Sequence, residues 1–298
     1  MYDEIIEVTG EDGSRIVCTI DSPSPGESRG TVVLTPVFGA TAHSMFIFAH
    51  ALTTNGFRVV RMDFRDHVGL SDGEIIKATM TKQVEDIETV LRRFDDAILV
   101  SMSLSARAAF RALNRGSRVR SAVFVTPVVD TAYTLAAALD ADYLNMDYDD
   151  IAPTVEVFSH DVERYFVKNC HEAEFVTTAD TIKDLASVTT PMSFVVGDAD
   201  PWVLPEHISE TIQALGWGHD RLAVIEAASH KLNRNPVVVR RYITALLGRI
   251  FAHEGIDAEP DIPSFDASLT LMNACRERRR ELIAGLTTRK ETPDAVLH

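Results

Sequence analysis

Cysteine is scarce in this 298-residue chain: Cys18, Cys170 and Cys275 are widely spaced and form no CxxC or Cys/His cluster. Three scattered thiols exclude a disulfide framework and a thiolate zinc site, and read as buried thiols in a reducing compartment. Long apolar runs are missing too, so no membrane span is expected. The first residues carry Asp3, Glu4 and Glu7, the wrong charge for the n-region of a signal peptide, and a cytoplasmic location is the expectation. Positive charge is in short supply: 29 Lys+Arg stand against 44 Asp+Glu, a formal net charge of −15. Such a surface repels a polyphosphate backbone, which argues against nucleic acid as a partner. There is no GxGxxG, no P-loop, no internal repeat and no low-complexity segment.

What remains is the composition of a globular protein, 46% hydrophobic and 24% charged. A chain of this length buries roughly three quarters of its unfolded surface and needs no covalent or metal staple. Its first half alternates β-branched runs with helical stretches. Strands are expected at Arg15 to Ile20, Gly30 to Thr35, Phe57 to Met62, Ala97 to Val100 and Ala122 to Thr126. Helices are expected at His43 to Asn55, Met80 to Phe94 and Leu104 to Asn114. From Asp130 to Asp184 the pattern turns helical and acidic, with no clear strand. Strands then resume at Met192 to Gly197 and Leu222 to Glu226, each followed by a helix, Pro205 to Leu215 and Pro236 to Phe251. The alternation predicts an α/β fold: a mostly parallel sheet with helices on both faces. Residues 1–129 and 185–298 would form the core, with a helical C-terminal extension from about 255, and 130–184 a cap over the ligand site. A charged helix from Leu269 to Leu286 and fraying last residues complete the expectation.

The strand Ala97 to Val100 runs into Ser101-Met102-Ser103-Leu104-Ser105 and then an Ala-rich helix. Strand, sharp turn and helix with a serine at the bend is the setting of the nucleophile elbow of α/β-hydrolases, in which the flanking positions must be small. Ser101 and Ser105 stand where the glycines of GxSxG would be, and a serine-rich helix N-cap is the plainer alternative. A serine needs a base, and the base an orienting acid. Asp198-Ala199-Asp200-Pro201-Trp202 follows one resumed strand, and Ala227-Ala228-Ser229-His230 follows the other. The order Ser103, Asp200, His230 is that of the α/β-hydrolases, each residue at the C-terminal end of a strand. Asp198 is the competing acid, as a loop residue capping the next helix. Two backbone N–H donors must hold the oxyanion: one from Leu104, the other from Phe38 or Gly39 in the loop Pro36-Val37-Phe38-Gly39-Ala40. The loop from Arg61 to Ser71, with His67 in it, reads as structural, lining the edge of the site without direct chemistry.

Several segments carry a more specific likeness. Asn55 to Asp63, His67-Val68-Gly69-Leu70-Ser71-Asp72-Gly73, Ser103 to Arg107, Asp200-x-Trp202-Val203, Ser229-His230-x-Leu232, Pro263-Ser264-Phe265 and Leu269-Thr270 together resemble the acyl transferase/thioesterase of bacterial luminescence systems. The resemblance spans nearly the whole chain and implies an α/β-hydrolase that releases a long-chain fatty acyl group, mainly myristoyl, from acyl carrier protein through an acyl-serine. It places the nucleophile on Ser103, the acid on Asp200 and the base on His230. The sequence departs from that family at Ala40-Thr41, where a basic pair is usual, and in 130–184, where the match is confined mainly to Ala138-Leu139-Asp140-x-Asp142-Tyr143-Leu144. The resemblance thus implies an acyl group of fatty or polyketide type, carried on acyl carrier protein or coenzyme A, with water or a downstream acyl-accepting enzyme as the expected acceptor. A carboxylesterase or lactonase of the same fold, or a silent acyl- or partner-binding protein, are the alternatives.

An acidic carrier would need a basic patch on so acidic an enzyme. Arg107, Arg111 and Arg115 recur at helical spacing, with Arg118 and Arg120 following; pairing with carboxylates is the simpler account of them. Arg276, Arg278, Arg279 and Arg280, interleaved with Glu277 and Glu281, read as a solvated face, or else as a docking or dimer surface. The acidic run Asp140, Asp142, Asp147, Asp149 and Asp150 lacks the glycine and terminal glutamate of a calcium loop. No cofactor and no metal are expected. Met45, Phe46, Phe158 and Phe166 are candidates for an acyl tunnel, or plain core.

Overall fold

The computed structural model describes residues 1–291 except 25, 27, 140 and 231–234, and the side chains of 287–291 are outside the description. Asp140 and Leu232, singled out above, and the last residues expected to fray lie outside the described residues. The elements in chain order are β1 (Glu4–Thr9), β2 (Arg15–Asp21), β3 (Thr31–Leu34), α1 (Phe46–Thr54), β4 (Arg58–Met62), α2 (Met80–Arg93), β5 (Ile98–Met102), α3 (Leu104–Asn114) and β6 (Ser121–Val125). Then follow α4 (Thr131–Leu139), β7 (Thr154–Val157), β8 (His160–Glu163), α5 (Tyr165–Glu172), α6 (Thr178–Leu185), β9 (Met192–Gly197) and α7 (Pro205–Ala214). The chain continues through β10 (Leu222–Ile225), α8 (Pro236–Glu254), α9 (Phe265–Ala274) and α10 (Arg276–Glu291).

Eight strands form one sheet in the order β1-β2-β4-β3-β5-β6-β9-β10. The six from β4 to β10 are mutually parallel, while β2 pairs antiparallel with both β1 and β4. The central strands are apolar on both sides, as a doubly covered parallel sheet requires. On β3, Val33 points into the layer shared with α2 and α3, whereas Val32 and Leu34 point into the layer shared with α1 and α8. The period-2 alternation thus splits one β-run between two cores. On α2, Met80, Val84, Ile87, Val90 and Leu91 recur at helical spacing and are buried. Its start is fixed by Thr79, whose side chain accepts the Lys82 N–H. Among the described residues no helix is long and apolar enough to cross a membrane.

Four features differ from expectation. The strand β1, on which Glu4 and Glu7 are exposed, is an edge strand; Ile5 and Val17 pack against Leu286 of α10, which covers the hairpin. The charged C-terminal stretch is two helices broken at Cys275, and that thiol is partly exposed while Cys18 and Cys170 are buried. The strand before Ser103 runs two residues further, through Met102, which makes the turn tighter. Between β6 and β9, where only helix was expected, β7 and β8 form an antiparallel hairpin. Val155, Val157 and Val162 are buried between exposed Glu156 and Asp161, and this short alternation was available in the sequence.

Candidate active site

Ser103 sits between β5 and α3 at φ 53°, ψ −129°, a conformation that costs a non-glycine residue about 1–3 kcal/mol. It is held there by its own backbone: the Ser103 N–H donates to Val125 O at 3.0 Å, and the Ser103 carbonyl accepts from Ala106 and Val128 at 3.1 Å each. The side chain makes no capping bond, which sets aside the N-cap alternative. Its neighbours explain how serine replaces glycine. Ser101, Ser105 and Thr35 are buried, and their hydroxyls meet in a triangle with sides of 2.7, 2.8 and 3.2 Å; Ser105 Oγ also donates to Met102 O at 2.7 Å. The two serines are therefore structural, tying the end of β3 to both sides of the turn. Thr35 could not be picked out from sequence, because its partners lie 66 and 70 positions away.

The Ser103 hydroxyl is 2.8 Å from His230 Nε2, and His230 Nδ1 is 2.8 Å from Asp200 Oδ2. The three residues singled out from sequence are thus in line. Asp200 is 2% exposed, and its second oxygen accepts the N–H groups of Trp202 and Val203 at 2.9 and 3.0 Å. Asp198, the competing acid, is exposed, and α7 takes its N-cap from Leu204 without a side-chain bond. The loops after β9 and β10 are stitched together by Asp198 N–H to Ile225 O and Ala199 N–H to Ala228 O, both 3.1 Å. Gly197 makes this possible, since a Cβ there would lie 2.0 Å from Ala228 O. The Trp202 ring covers the His230 imidazole at 4.9 Å between centroids.

A cavity of about 490 Å³ opens over Ser103, walled by Met45, Phe48, Val239, Phe158 and Trp202 and floored by Met102 and Thr126. Of the four tunnel candidates, Met45 and Phe158 line it. Phe46 instead stacks on Tyr2, and Phe166 packs edge-on against Phe38, so both are core. Phe38 also lines the cavity, and Leu104 begins α3 with its N–H in the unpaired first turn. Gly39 differs from expectation as a donor: its N–H is spent on His67 Nε2 at 3.0 Å. Its lack of a Cβ serves another end, because a Cβ would come within 2.5 Å of His160 on β8. His67 is buried beneath this loop and is not a wall of the cavity.

The arginines after Ser103 do not form a basic patch. Fully buried Arg107 and the neighbouring Arg111 both bond Asp184 of α6 at 2.5 Å, and Arg115 lies 3.8 Å from Glu88. Burial lowers the Arg107 pKa, with Asp184 acting against it. On α10, Arg276, Arg278 and Arg280 are exposed and Arg279 partly buried, with Arg278 near Glu281 at 3.6 Å. Asp142 accepts from Asn145 of its own turn.

A family model described as acyl transferase matches residues 1–282. The chain belongs to the acyl transferase family. Acyl transferases of Photobacterium phosphoreum and Vibrio harveyi are each 27% identical to it, covering 94% and 89% of this chain and 95% and 88% of their own. The likeness to the luminescence acyl transferases read from the sequence is thereby borne out. Among solved structures, ferulic-acid-bound Est1E from Butyrivibrio proteoclasticus superposes with a TM-score of 0.65 at 17% identity, covering 82% of this chain and 99% of its own. A monoacylglycerol lipase from Paleococcus ferrophilus gives 0.62 at 16%, covering 80% and 99%. These likenesses bear out the α/β-hydrolase fold. The protein is an acyl-transferring enzyme on an α/β-hydrolase fold.

Proposed function

We propose that the protein is a serine-dependent acyl-thioester hydrolase or acyl transferase that takes a fatty or polyketide-type chain from acyl carrier protein or coenzyme A. The observation that carries this reading is the relay from Ser103 through His230 to Asp200, with both links at 2.8 Å, beneath an apolar cavity. His230 Nε2 takes the Ser103 proton as the oxygen attacks the thioester carbonyl, and Asp200 holds the imidazole with its other proton on Nδ1. The negative charge on the carbonyl oxygen is met by the N–H groups of Leu104 and Phe38. As the tetrahedral adduct collapses, the C–S bond breaks and the imidazolium gives its proton to the departing thiolate. Water or the hydroxyl of an acceptor then attacks the acyl-serine as His230 again takes the proton, and collapse breaks the ester C–O bond while the imidazolium returns that proton to Ser103 Oγ. In this reading residues 130–184 act as a cap, contributing Phe158 and Ser159 above the serine. The apolar wall from Met45, Phe48 and Val239 suits an acyl chain.

Intact-protein mass spectrometry of the wild type and Ser103→Ala, after brief exposure to acyl-CoA thioesters of graded length, tests the reading. A mass gain of one acyl group in the wild type only, with an optimum in chain length, is expected. Cleavage of simple oxygen esters, with neither adduct nor thiol release from any thioester, would make the enzyme a carboxylesterase instead.

A further inference from the structure

The loop after β3 is a turn whose shape is set by a contact outside itself. The Ala40 N–H donates to Val37 O at 3.1 Å, and Gly39 has φ +75°. A bond from the first to the fourth residue, with glycine in the left-handed region at the third, is a type II turn. Type II differs from type I by a flip of the central peptide, here the one joining Phe38 to Gly39. The N–H on that peptide is the one that donates to His67 Nε2. His67 is itself fixed: it is 5% exposed, with Phe38 edge-on at 4.9 Å and Phe64 at 5.9 Å. Its own loop is fastened to the same region by Asp63, which accepts the Ala42 N–H at 2.6 Å and the Leu70 N–H at 2.9 Å. An Nε2 that accepts places the ring proton on Nδ1. Burial, assisted by His160 across the loop, holds the pKa of His67 down to about 4, which keeps that lone pair available at neutral pH.

We propose that His67 is a positioning residue for the oxyanion hole: by accepting the Gly39 N–H, with the Phe38 ring edge-on against its imidazole, it anchors the turn as a whole and so fixes where the Val37–Phe38 peptide, which carries the Phe38 N–H, stands relative to the carbonyl attacked by Ser103. The inference rests on the reading of Phe38 and Leu104 as the oxyanion donors. His67 touches neither substrate nor Ser103; it acts through the turn. The effect belongs to the transition state, because the charge that Phe38 meets develops only there.

Hydrolysis of p-nitrophenyl octanoate by four variants separates the possibilities. Removing one oxyanion donor outright costs an enzyme about 100- to 1000-fold in kcat, so loosening one is expected to cost about 10- to 100-fold. His67→Phe, which keeps the ring and loses the acceptor, and His67→Asn, whose oxygen falls short of Gly39, should both show that loss in kcat with KM within about threefold. His67→Gln, whose Oε1 reaches the place of Nε2, should restore kcat to within about threefold of wild type. Wild-type kcat in His67→Phe, equal losses in His67→Phe and His67→Gln, or an effect confined to KM would each overturn the inference. Should the variants fail to fold, ¹⁵N spectra of the wild-type imidazoles decide: an unprotonated Nε2 on His67 is expected, and a protonated one at neutral pH sinks the idea. Ser103→Ala runs alongside; if it keeps full turnover the reading of the site has failed, whatever His67 does.

Discussion

Beneath the cavity, Ser103, Asp200 and His230 stand at the ends of β5, β9 and β10, three strands of one parallel sheet. Above it, Phe158 and Ser159 stand at the tip of the β7–β8 hairpin, a two-stranded sheet of its own. Their φ angles of +49° and +66° make a two-residue turn with both central residues in the left-handed region, a form that favours Asn and Gly. Phe158 and Trp202 are 5.6 Å apart across the mouth, and both are half-buried. The lower side is built from strand ends, where backbone bonds fix positions to the tolerance that proton transfer demands. The upper side is a strained tip on a marginal sheet, suited to adapting to the shape of a ligand. On the proposed reading the contrast separates two jobs: reacting below, selecting above.

The strongest way to break this division is at Ser103. Ser103→Ala should lower turnover by about 10⁴-fold or more, as for the nucleophile of serine triads, with KM nearly unchanged; measurable turnover of acyl-CoA near the wild-type rate would dismantle the lower half of the comparison. Next in size is the support of the lower side. Asp184→Ala strands the buried Arg107 charge on the helix that Ser103 begins, and should destabilise the fold by about 3–5 kcal/mol in denaturant titrations.

A pH series probes the boundary between the halves. In the unfolded chain His67 takes up a proton near pH 6.5, but in the fold only near pH 4. Between these values the unfolded state binds the extra proton, so this residue's contribution is full above pH 6.5 and is lost as the pH falls towards 4. His67→Asn should flatten the fall of unfolding free energy, read from denaturant titrations, over that window relative to wild type, by at most about 1.4 kcal/mol per pH unit. Identical slopes in the two proteins would contradict the neutral, buried ring.

The smallest effect is reserved for the upper side. Phe158→Ala should shift the preferred acyl length and change the ratio of kcat/KM between short and long chains by about 1–3 kcal/mol at most, while leaving kcat on a short ester near wild type. An equal loss on all chain lengths would assign Phe158 to the lower side's chemistry and blur the distinction.

What was legible in the sequence follows the same line. The elbow could be read because strand, serine and helix are contiguous from Ala97 to Asn114, and the acid and base because each follows its own strand. The choice of Asp200 over Asp198 depended on its place before Pro201, and the burial of the one and exposure of the other agree with it. The hairpin was missed because its turn is Phe158-Ser159, which carries none of the glycine or asparagine that announces such a turn. Gly39 was read, with Phe38, as one of two alternative donors, whereas its N–H is spoken for and its missing side chain makes room for His160. Such facts depend on which distant residue arrives opposite, and no local pattern encodes that. The arginines after Ser103 fell between: their pairing was foreseeable, but Asp184 as the shared partner was not.

The triangle of Thr35, Ser101 and Ser105 has an implication for how this elbow could have arisen. The three hydroxyls share buried partners, with the Ser105 proton given to Met102 O, so replacing any one by glycine leaves its neighbours short of a buried partner. The route between this Ser-x-Ser-x-Ser form and a Gly-x-Ser-x-Gly form therefore runs downhill in stability before it runs up again. The coupling among three small side chains makes the flanking serines a joint feature of the whole turn rather than two independent choices.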